Sequence, residues 1–282
     1  MIKLIECPRD AMQGITEFIS TSQKASYINK LLQVGFDTID FGSFVSPKAI
    51  PQMRDTAEVL QMLNLGSTNT KLLAIIANIR GAEQAVTYNE ITYLGFPFSI
   101  SETFQQRNTN TSILQSFYNV QEIQNLCLKQ NKKLVIYISM GFGNPYGDPW
   151  NAEIAIEWVE KMAEIGIEII SLSDTIGIGN QENIGYLFSH LVKALPNIEF
   201  GAHLHTTPET WFEKVEAAYQ NGCKRFDGAL KGFGGCPMAT DKLTGNMPME
   251  NLVSYFNQKN LLSGLNQDIL KECLEMANEI FN

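Results

Sequence analysis

The feature that most constrains this chain is a regular alternation of short β-rich segments with amphipathic segments. Runs of β-branched and aromatic residues recur eight times, and stretches with a 3.6-residue apolar period lie between them. This order is typical of βα units, in which crossover helices join parallel strands. The predicted strands span residues 2–7, 38–44, 71–78, 90–99, 133–142, 168–175, 198–205 and 225–232.

The intervening segments are predicted to be helices. Several of the strands, such as LLAII and LVIYI, are continuously apolar, as expected for strands that helices cover on the outer face and a packed interior covers on the other. The predicted helices span about residues 16–33, 50–63, 80–88, 110–130, 150–164, 181–193, 208–220, 249–258 and 266–281.

Eight consecutive βα units without a linker favour an α/β fold with one closed (β/α)8 TIM barrel. We expect one catalytic domain over residues 1–282, including a C-terminal helical segment at about 249–282. An open doubly wound sheet is the alternative. The segment CPRDAMQG follows the first strand where a G-x-G-x-x-G turn would be required for dinucleotide binding. We therefore expect no nicotinamide or flavin cofactor.

The charge balance excludes some partners. The chain has 21 basic and 30 acidic residues, a net charge of −9 that repels a phosphate backbone, so nucleic acid is not expected as a partner. No apolar run reaches the roughly 18 residues of a membrane span, and no membrane association is expected. Five scattered cysteines without a Cys-x-x-Cys pair fit a reducing compartment, which predicts a cytoplasmic protein.

Polar residues cluster at the predicted carboxyl ends of the strands, which is where barrel enzymes place their active sites. We predict that Ser43, Asn144 and Thr175 contact the substrate. The other polar residues at these ends are Arg9, Asp10, Asp40, Ser173, Asp174, His203, His205 and Lys231.

Two of the three histidines, His203 and His205, lie at i and i+2 on one strand and so project to the same face. Barrel closure brings Asp10 of the first strand within reach of them. Two imidazoles and a carboxylate with open positions suit a catalytic divalent ion, Mg²⁺ or Mn²⁺, with Zn²⁺ less favoured. The alternatives are structural histidines, and for Asp10 a salt bridge to Arg9 or a place on the surface.

The stretch GFGGCP follows the last strand and predicts a pliable loop carrying Cys236. Cys236 then moves in and out of the site, or it is an inert thiol in a glycine-rich turn. Asn246, in LTGN, either offers an amide oxygen to the ion or caps the following helix.

Together these motifs resemble the 3-hydroxy-3-methylglutaryl-CoA lyase family, a branch of metal-dependent barrel enzymes that includes isopropylmalate and homocitrate synthases. The likeness runs from IECPRDAMQG to LTGNMPMENL, close to the whole chain. The segments SFVSPKAIPQM, SLSDTIGIG and GGCP are its specific elements. The Arg-Asp and His-x-His pairs are shared across the superfamily.

The resemblance implies a role for each matching residue. Arg9 would stabilise an enolate oxygen, Cys236 would assist proton transfer, and Asp174 and His203 would act in catalysis. Asp40, where the lyases carry a glutamate, and Glu250 would contact the substrate. The metal ligands would be Asp10, His203, His205 and Asn246. Chains of this family commonly form dimers, so the resemblance allows a homodimer.

The predicted activity is divalent-metal-dependent cleavage of 3-hydroxy-3-methylglutaryl-CoA, or a close 3-hydroxyacyl-CoA, to acetyl-CoA and acetoacetate. One alternative is condensation of an acyl-CoA with a 2-oxoacid, or an aldolase reaction of the same superfamily. Another is a non-catalytic barrel that binds metal or acyl-CoA, motivated by departures from the family pattern at Ala11 and Thr206. Val135, where better-known lyases have an arginine, is a further departure.

Overall fold

Eight parallel strands close into a barrel in the computed structural model, which describes residues 1–235 and 244–281. Hydrogen-bonded neighbours follow chain order, and β8 closes on β1 through register pairs such as Lys3 with Arg225. The (β/α)8 TIM barrel is therefore confirmed, and the open doubly wound sheet is wrong. The strands are β1 (Lys3–Glu6), β2 (Thr38–Phe44), β3 (Lys71–Ile76), β4 (Ile91–Ser99), β5 (Lys133–Ser139), β6 (Ile169–Asp174), β7 (Glu199–Leu204) and β8 (Arg225–Gly228).

Helices follow every strand and bury their apolar faces on the outside of the barrel. Among the described residues, no helix is long and apolar enough to cross a membrane. The helices are α1 (Pro8–Gln13), α2 (Thr21–Leu32), α3 (Thr56–Gln61), α4 (Ile79–Ala85), α5 (Glu102–Thr109), α6 (Ile113–Lys129), α7 (Ala152–Glu164), α8 (Gln181–Ala194), α9 (Trp211–Gln220), α10 (Met249–Gln258) and α11 (Gln267–Phe281).

Two helices were not predicted, α1 and α5. Six residues form α1, too few for an apolar period, and Pro8 starts it because a proline fits the first turn of a helix. The helix α5 is mostly polar, and its beginning is fixed by the Ser101 side chain, which accepts a hydrogen bond from the Phe104 N–H. The predicted helix at 110–130 starts only at Ile113, as α6.

The segment before α2 is a loop, although periodicity predicted a helix from residue 16. Gln52 explains the difference because its side chain bonds the loop backbone at three points. Its Nε2 donates to the carbonyls of Ile15 and Glu17, and its Oε1 accepts from the Ile19 N–H. These bonds satisfy backbone groups that a helix would have paired internally.

The interior of the barrel contains a buried arginine as well as apolar residues. Arg225 on β8 is fully buried, and the missing side chain of Gly201 gives it room, since a Cβ there would lie 3.2 Å from Arg225 Cδ. The guanidinium in the barrel interior therefore comes from Arg225 on β8. Strand β5 has Val135 there, at the position where better-known lyases have an arginine. The apolar interior cluster comprises Leu73, Tyr93, Val135, Tyr137 and Ile169.

Strand β8 is shorter than predicted and ends at Gly228 rather than at residue 232. A short 3₁₀ turn (Leu230–Gly232) follows, in which Lys231 has a left-handed φ of 61°. Two carboxylates hold this turn, because Glu6 accepts a hydrogen bond from the Leu230 N–H and Glu250 accepts one from the Lys231 N–H. The turn directs the chain from β8 back across the barrel mouth.

Candidate active site

A cavity of about 480 Å³ opens at the carboxyl ends of the strands. This volume falls within the range of about 300–1,000 Å³ that is usual for small-molecule sites. Apolar side chains such as Ile75 and Pro97 share its wall with hydroxyl groups and charged groups. Of the predicted site residues, the wall includes Arg9, Asp10, Ser43, Thr175, His203 and His205.

Arg9 lies in the first turn of α1 and is held by two carboxylates. Its Nε and Nη2 donate to Asp40 Oδ2 at 3.0 and 2.5 Å, and its Nη1 donates to Asp10 Oδ1 and Gln13 Oε1, both at 2.9 Å. A guanidinium has five N–H groups, and these contacts use four of them. One N–H of Nη2 therefore remains for a group in the cavity.

Asp10 has one oxygen engaged by the protein and one that faces the histidines. Its Oδ1 accepts from Arg9 and from Gln13 Nε2, whereas its Oδ2 lies 3.7 Å from His203 Nε2. Burial alone would raise the pKa of Asp10, but the charge of Arg9, the neighbouring His203 and a hydrogen bond with Asn246 outweigh burial and hold the pKa below its usual range. Asp10 is therefore ionised at neutral pH.

His203 and His205 converge on Asp10 as the alternation of β7 predicts. The ligand atoms of the three side chains all lie within 4.8 Å of one another. Burial lowers the pKa of His203, but a hydrogen bond and the charge of Asp227 more than offset it, so the pKa is above its usual value. Burial and the neighbouring His203 lower the pKa of His205 to about 4, which keeps its ring neutral.

Asn246 lies beside this cluster, paired with His205 in an isolated antiparallel bridge. Its Nδ2 donates to the Phe233 carbonyl at 2.8 Å, and the Asn246 side chain also hydrogen-bonds the Asp10 carboxylate. Gly234, with a φ of 90°, makes this approach possible because a Cβ there would lie 2.5 Å from Asp10 O and 2.8 Å from Asn246 Nδ2. The missing side chain at Gly234 thus lets Asn246 lie beside Asp10.

The donor set of this cluster fits a divalent cation. His205 Nδ1 is buried and has no hydrogen-bond partner among the described residues, and Asp10 Oδ2 and His203 Nε2 lie too far apart to hydrogen-bond each other. Ligands of one Mg²⁺ or Mn²⁺ ion lie about 2.1 Å from it and hence roughly 3 to 4 Å apart. An ion bound among the three side chains would bridge the facing atoms of Asp10 and His203, which do not hydrogen-bond each other.

Ser43 and Thr175 line the cavity as predicted for substrate contacts. Thr175 Oγ1 accepts a hydrogen bond from the Met140 N–H at 2.9 Å, which fixes the side chain at the end of β6. Asp40 does not line the cavity among the described residues. It lies 1 % exposed against Arg9, so the structure changes its predicted role from contacting substrate to holding Arg9.

Asp174, predicted to act in catalysis, is engaged elsewhere. Its Oδ2 accepts from Lys214 Nζ at 2.6 Å and its Oδ1 accepts from the Gly179 N–H at 3.0 Å. Lys214 Nζ also donates to the carbonyls of Gly177 and His205. Since both oxygens are used, this structure does not support direct catalysis by Asp174. The pair instead fixes the loop after β6 and the end of β7.

Asn144 and Glu250 are likewise not brought to the cavity, contrary to their predicted substrate contacts. Asn144 Oδ1 accepts from the N–H groups of Tyr146 and Asp148, and its Nδ2 donates to the Asp148 carbonyl, so its amide shapes the loop after β5. Glu250 holds the Lys231 N–H at the start of α10. Cys236 lies outside the described residues.

The chain matches the HMGL-like family model over residues 2–277. It belongs to the HMGL-like family. Two curated relatives are hydroxymethylglutaryl-CoA lyases. The Bacillus subtilis protein is 31% identical over 96% of this chain and 90% of its own length. The human mitochondrial protein is 31% identical over 99% of this chain and 84% of its own length.

Solved structures of HMGL-like proteins have the same architecture. An HMG-CoA lyase from Acinetobacter baumannii, in complex with coenzyme A and 3-methylmalate, is 30% identical with a TM-score of 0.92, covering 100% of this chain and 91% of that one. The carboxyl transferase domain of Rhizobium etli pyruvate carboxylase is 15% identical with a TM-score of 0.73, over 99% of this chain and 47% of that one, which shows a shared fold alone.

Three residues around the site were missed by sequence reasoning. Gln13 bonds both Arg9 and Asp10, and Lys214 neutralises Asp174. Asp227 bonds His203 Nδ1 at 3.2 Å. A signal for Asp227 was available, because it faces inward near the end of β8, next to β7. No local signal marks Lys214, which reaches its partner from α9.

Proposed function

We propose that this protein is a divalent-metal-dependent carbon–carbon lyase that cleaves 3-hydroxy-3-methylglutaryl-CoA to acetyl-CoA and acetoacetate. The observation that carries the proposal is the convergence of Asp10, His203 and His205 beside Arg9, with their ligand atoms all within 4.8 Å of one another. Membership of the HMGL-like family supports the reaction class. The relative that binds coenzyme A supports an acyl-CoA substrate.

Asp10, His203, His205 and Asn246 would hold the ion, with Mg²⁺ or Mn²⁺ favoured by the mixture of oxygen and imidazole ligands. When bound, a divalent ion there supplies Lewis-acid chemistry, which acidifies a substrate hydroxyl group and orients it. The contacts of Arg9 and Gln13 with Asp10 Oδ1 leave only Asp10 Oδ2 directed at the ion site.

The reaction breaks the bond between C2 and C3 of the substrate. The C3 hydroxyl group loses its proton, C3 becomes the ketone of acetoacetate, and the electron pair of the broken bond passes to the thioester as an enolate. Protonation of that enolate at C2 then gives acetyl-CoA. The Asp10 carboxylate, which lines the cavity, is the group placed to accept the hydroxyl proton.

Arg9 is suited to stabilise the enolate oxygen. Its guanidinium is permanently charged, and its contacts with Asp10 and Asp40 fix the remaining N–H of Nη2 before substrate binds. The acid that protonates C2 is expected to be the thiol of Cys236.

The test is product formation by the purified protein. With 3-hydroxy-3-methylglutaryl-CoA and Mg²⁺ or Mn²⁺, acetyl-CoA and acetoacetate should appear in equal amounts. A chelator should abolish the reaction, and added metal should restore it. His203→Ala should lower kcat/KM at least about a hundredfold, whereas the matched change His190→Ala, at an exposed position on α8, should leave it unchanged.

Three results would overturn the proposal. They are full activity of His203→Ala, activity that survives metal removal, and absence of acetyl-CoA release. Formation of a condensation product from acetyl-CoA and a 2-oxoacid, without cleavage, would point to a synthase. Tight binding of acyl-CoA without turnover would point to a non-catalytic barrel.

A further inference from the structure

Asp227 is a buried carboxylate beside the proposed metal site that has no part in the chemistry above. It lies on β8 and is 2 % exposed. His203 on β7 is its register partner, and neighbouring strands in register place such side chains side by side on one face. Asp227 therefore reaches the imidazole from the interior of the barrel.

The ring of His203 lies between two carboxylates. Its Nδ1 is 3.2 Å from Asp227 Oδ2, and its Nε2 is 3.7 Å from Asp10 Oδ2. A neutral imidazole carries one proton, so only one of these nitrogens donates at a time. The shorter distance is that of a hydrogen bond and the longer one is not. The proton therefore belongs on the Asp227 side.

The surrounding rings limit how far His203 can turn. The Tyr137 ring packs edge-on against it with centroids 5.6 Å apart, and the His205 ring lies 5.5 Å away. Of the two carboxylates, Asp227 lies on β8 and Asp10 lies on α1, so both are carried by regular elements. Rotation of the imidazole would break the hydrogen bond to Asp227.

We propose that Asp227 is a positioning residue that keeps the proton of the neutral His203 ring on Nδ1. The lone pair of Nε2 then faces Asp10 and the proposed ion. Carboxylates that hold the second nitrogen of a metal-binding histidine commonly fix the ring in this way. This inference rests on the metal site of the proposed function, but it concerns a contact that exists without the ion.

Nitrogen NMR of the metal-free protein tests the proposal directly. The chain has only three histidines, so ¹⁵N-histidine labelling gives a small set of signals, and His190→Gln and His205→Gln assign them. The spectra are recorded at about pH 9, well above the ordinary pKa of an imidazole. We expect His203 as the Nδ1–H form. If the spectrum of the unaltered protein shows His203 in the Nε2–H form, the proposal is wrong. This outcome does not depend on a variant at Asp227.

The variant Asp227→Asn should reverse the preference. With the Asp227 carboxylate replaced by an uncharged amide, Asp10 is the carboxylate that still faces the ring among the described residues, and the proton should move to Nε2. The affinity for Mn²⁺, measured by calorimetry, should fall about 10- to 100-fold. The matched control is Asp55→Asn, a buried aspartate that pairs with Lys24 and is not part of the cavity wall, which should change neither readout.

Retention of the Nδ1–H form and of native Mn²⁺ affinity in Asp227→Asn would also overturn the proposal. Such a result, combined with acetyl-CoA release by the unaltered protein, would leave the proposed function intact. If the unaltered protein releases no acetyl-CoA, the proposed function fails, while the NMR signal of His203 still decides the role of Asp227.

Discussion

Strands β6 and β7 are neighbours, and both end in buried polar residues, but their surroundings differ. At the end of β6, both oxygens of Asp174 have donors, and Lys214 donates to three acceptors. At the end of β7, His205 Nδ1 has no partner among the described residues, and His203 Nε2 faces Asp10 Oδ2 across 3.7 Å.

The difference separates a structural group from a binding group. A buried ion pair with every atom satisfied stabilises the loop that contains it and has nothing left for a ligand. Buried atoms that converge without partners require something else to satisfy them. The ends of β6 and β7 both carry polar side chains. What distinguishes the two ends is whether those side chains have hydrogen-bond partners within the protein.

The largest expected effect is on the stability of the β6 end. Lys214→Met leaves the Asp174 carboxylate buried without its cation, which should lower the free energy of unfolding by about 3–5 kcal/mol. Urea denaturation followed by circular dichroism measures this. The double variant Lys214→Met with Asp174→Leu should recover most of the loss. A change below about 1 kcal/mol in the single variant would contradict the structural role assigned here.

The next effect is on activity at the β7 end. Asp10→Asn keeps the shape of the side chain but removes the charge facing the histidines, so cleavage of 3-hydroxy-3-methylglutaryl-CoA should fall at least about a hundredfold. Arg9 keeps its contact with Asp40, so the free energy of unfolding should change by less than about 2 kcal/mol. If Asp10→Asn lost as much stability as Lys214→Met, the ends of β6 and β7 would not differ in the way proposed.

The smallest effect concerns the approach of Asn246 to Asp10. Gly234→Ala places a Cβ against Asp10 and Asn246 at a φ of 90°, which should cost about 1–3 kcal/mol and weaken Mn²⁺ binding. The control is Gly14→Ala, where no atom lies within 4 Å of the added Cβ. Thermal unfolding and calorimetry of both variants measure the difference. Equal behaviour of the two would show that the contact with Asp10 is unimportant.

The sequence predicted the strands better than the helices. All eight strands lie where β-branched runs predicted them, because strands covered on both faces are continuously apolar. The helices α1 and α5 were missed because one is short and the other is polar. In α5, the beginning depends on Ser101 and on Asp148, which accepts from the Thr103 N–H, and Asp148 comes from a loop 45 residues later.

The sequence predicted some site residues correctly and others not, because here too the partners of a side chain are remote in sequence. Asp10, His203 and His205 follow from strand alternation and barrel closure, and the structure brings them together. Asp174 and Asn144 have the same polar character at the same ends, but the structure uses them within loops. No pattern in the sequence marks which polar side chain finds a protein partner.

By itself, the sequence determined the closed barrel, the place of the site on it and the group of side chains that could bind an ion. These follow from periodicity, which is local along the chain. The tertiary structure decided which groups are neutralised, through partners such as Lys214 for Asp174 and Asp227 for His203. That choice depends on distances of a few ångströms between strands and helices remote in sequence, and only the closed fold sets them.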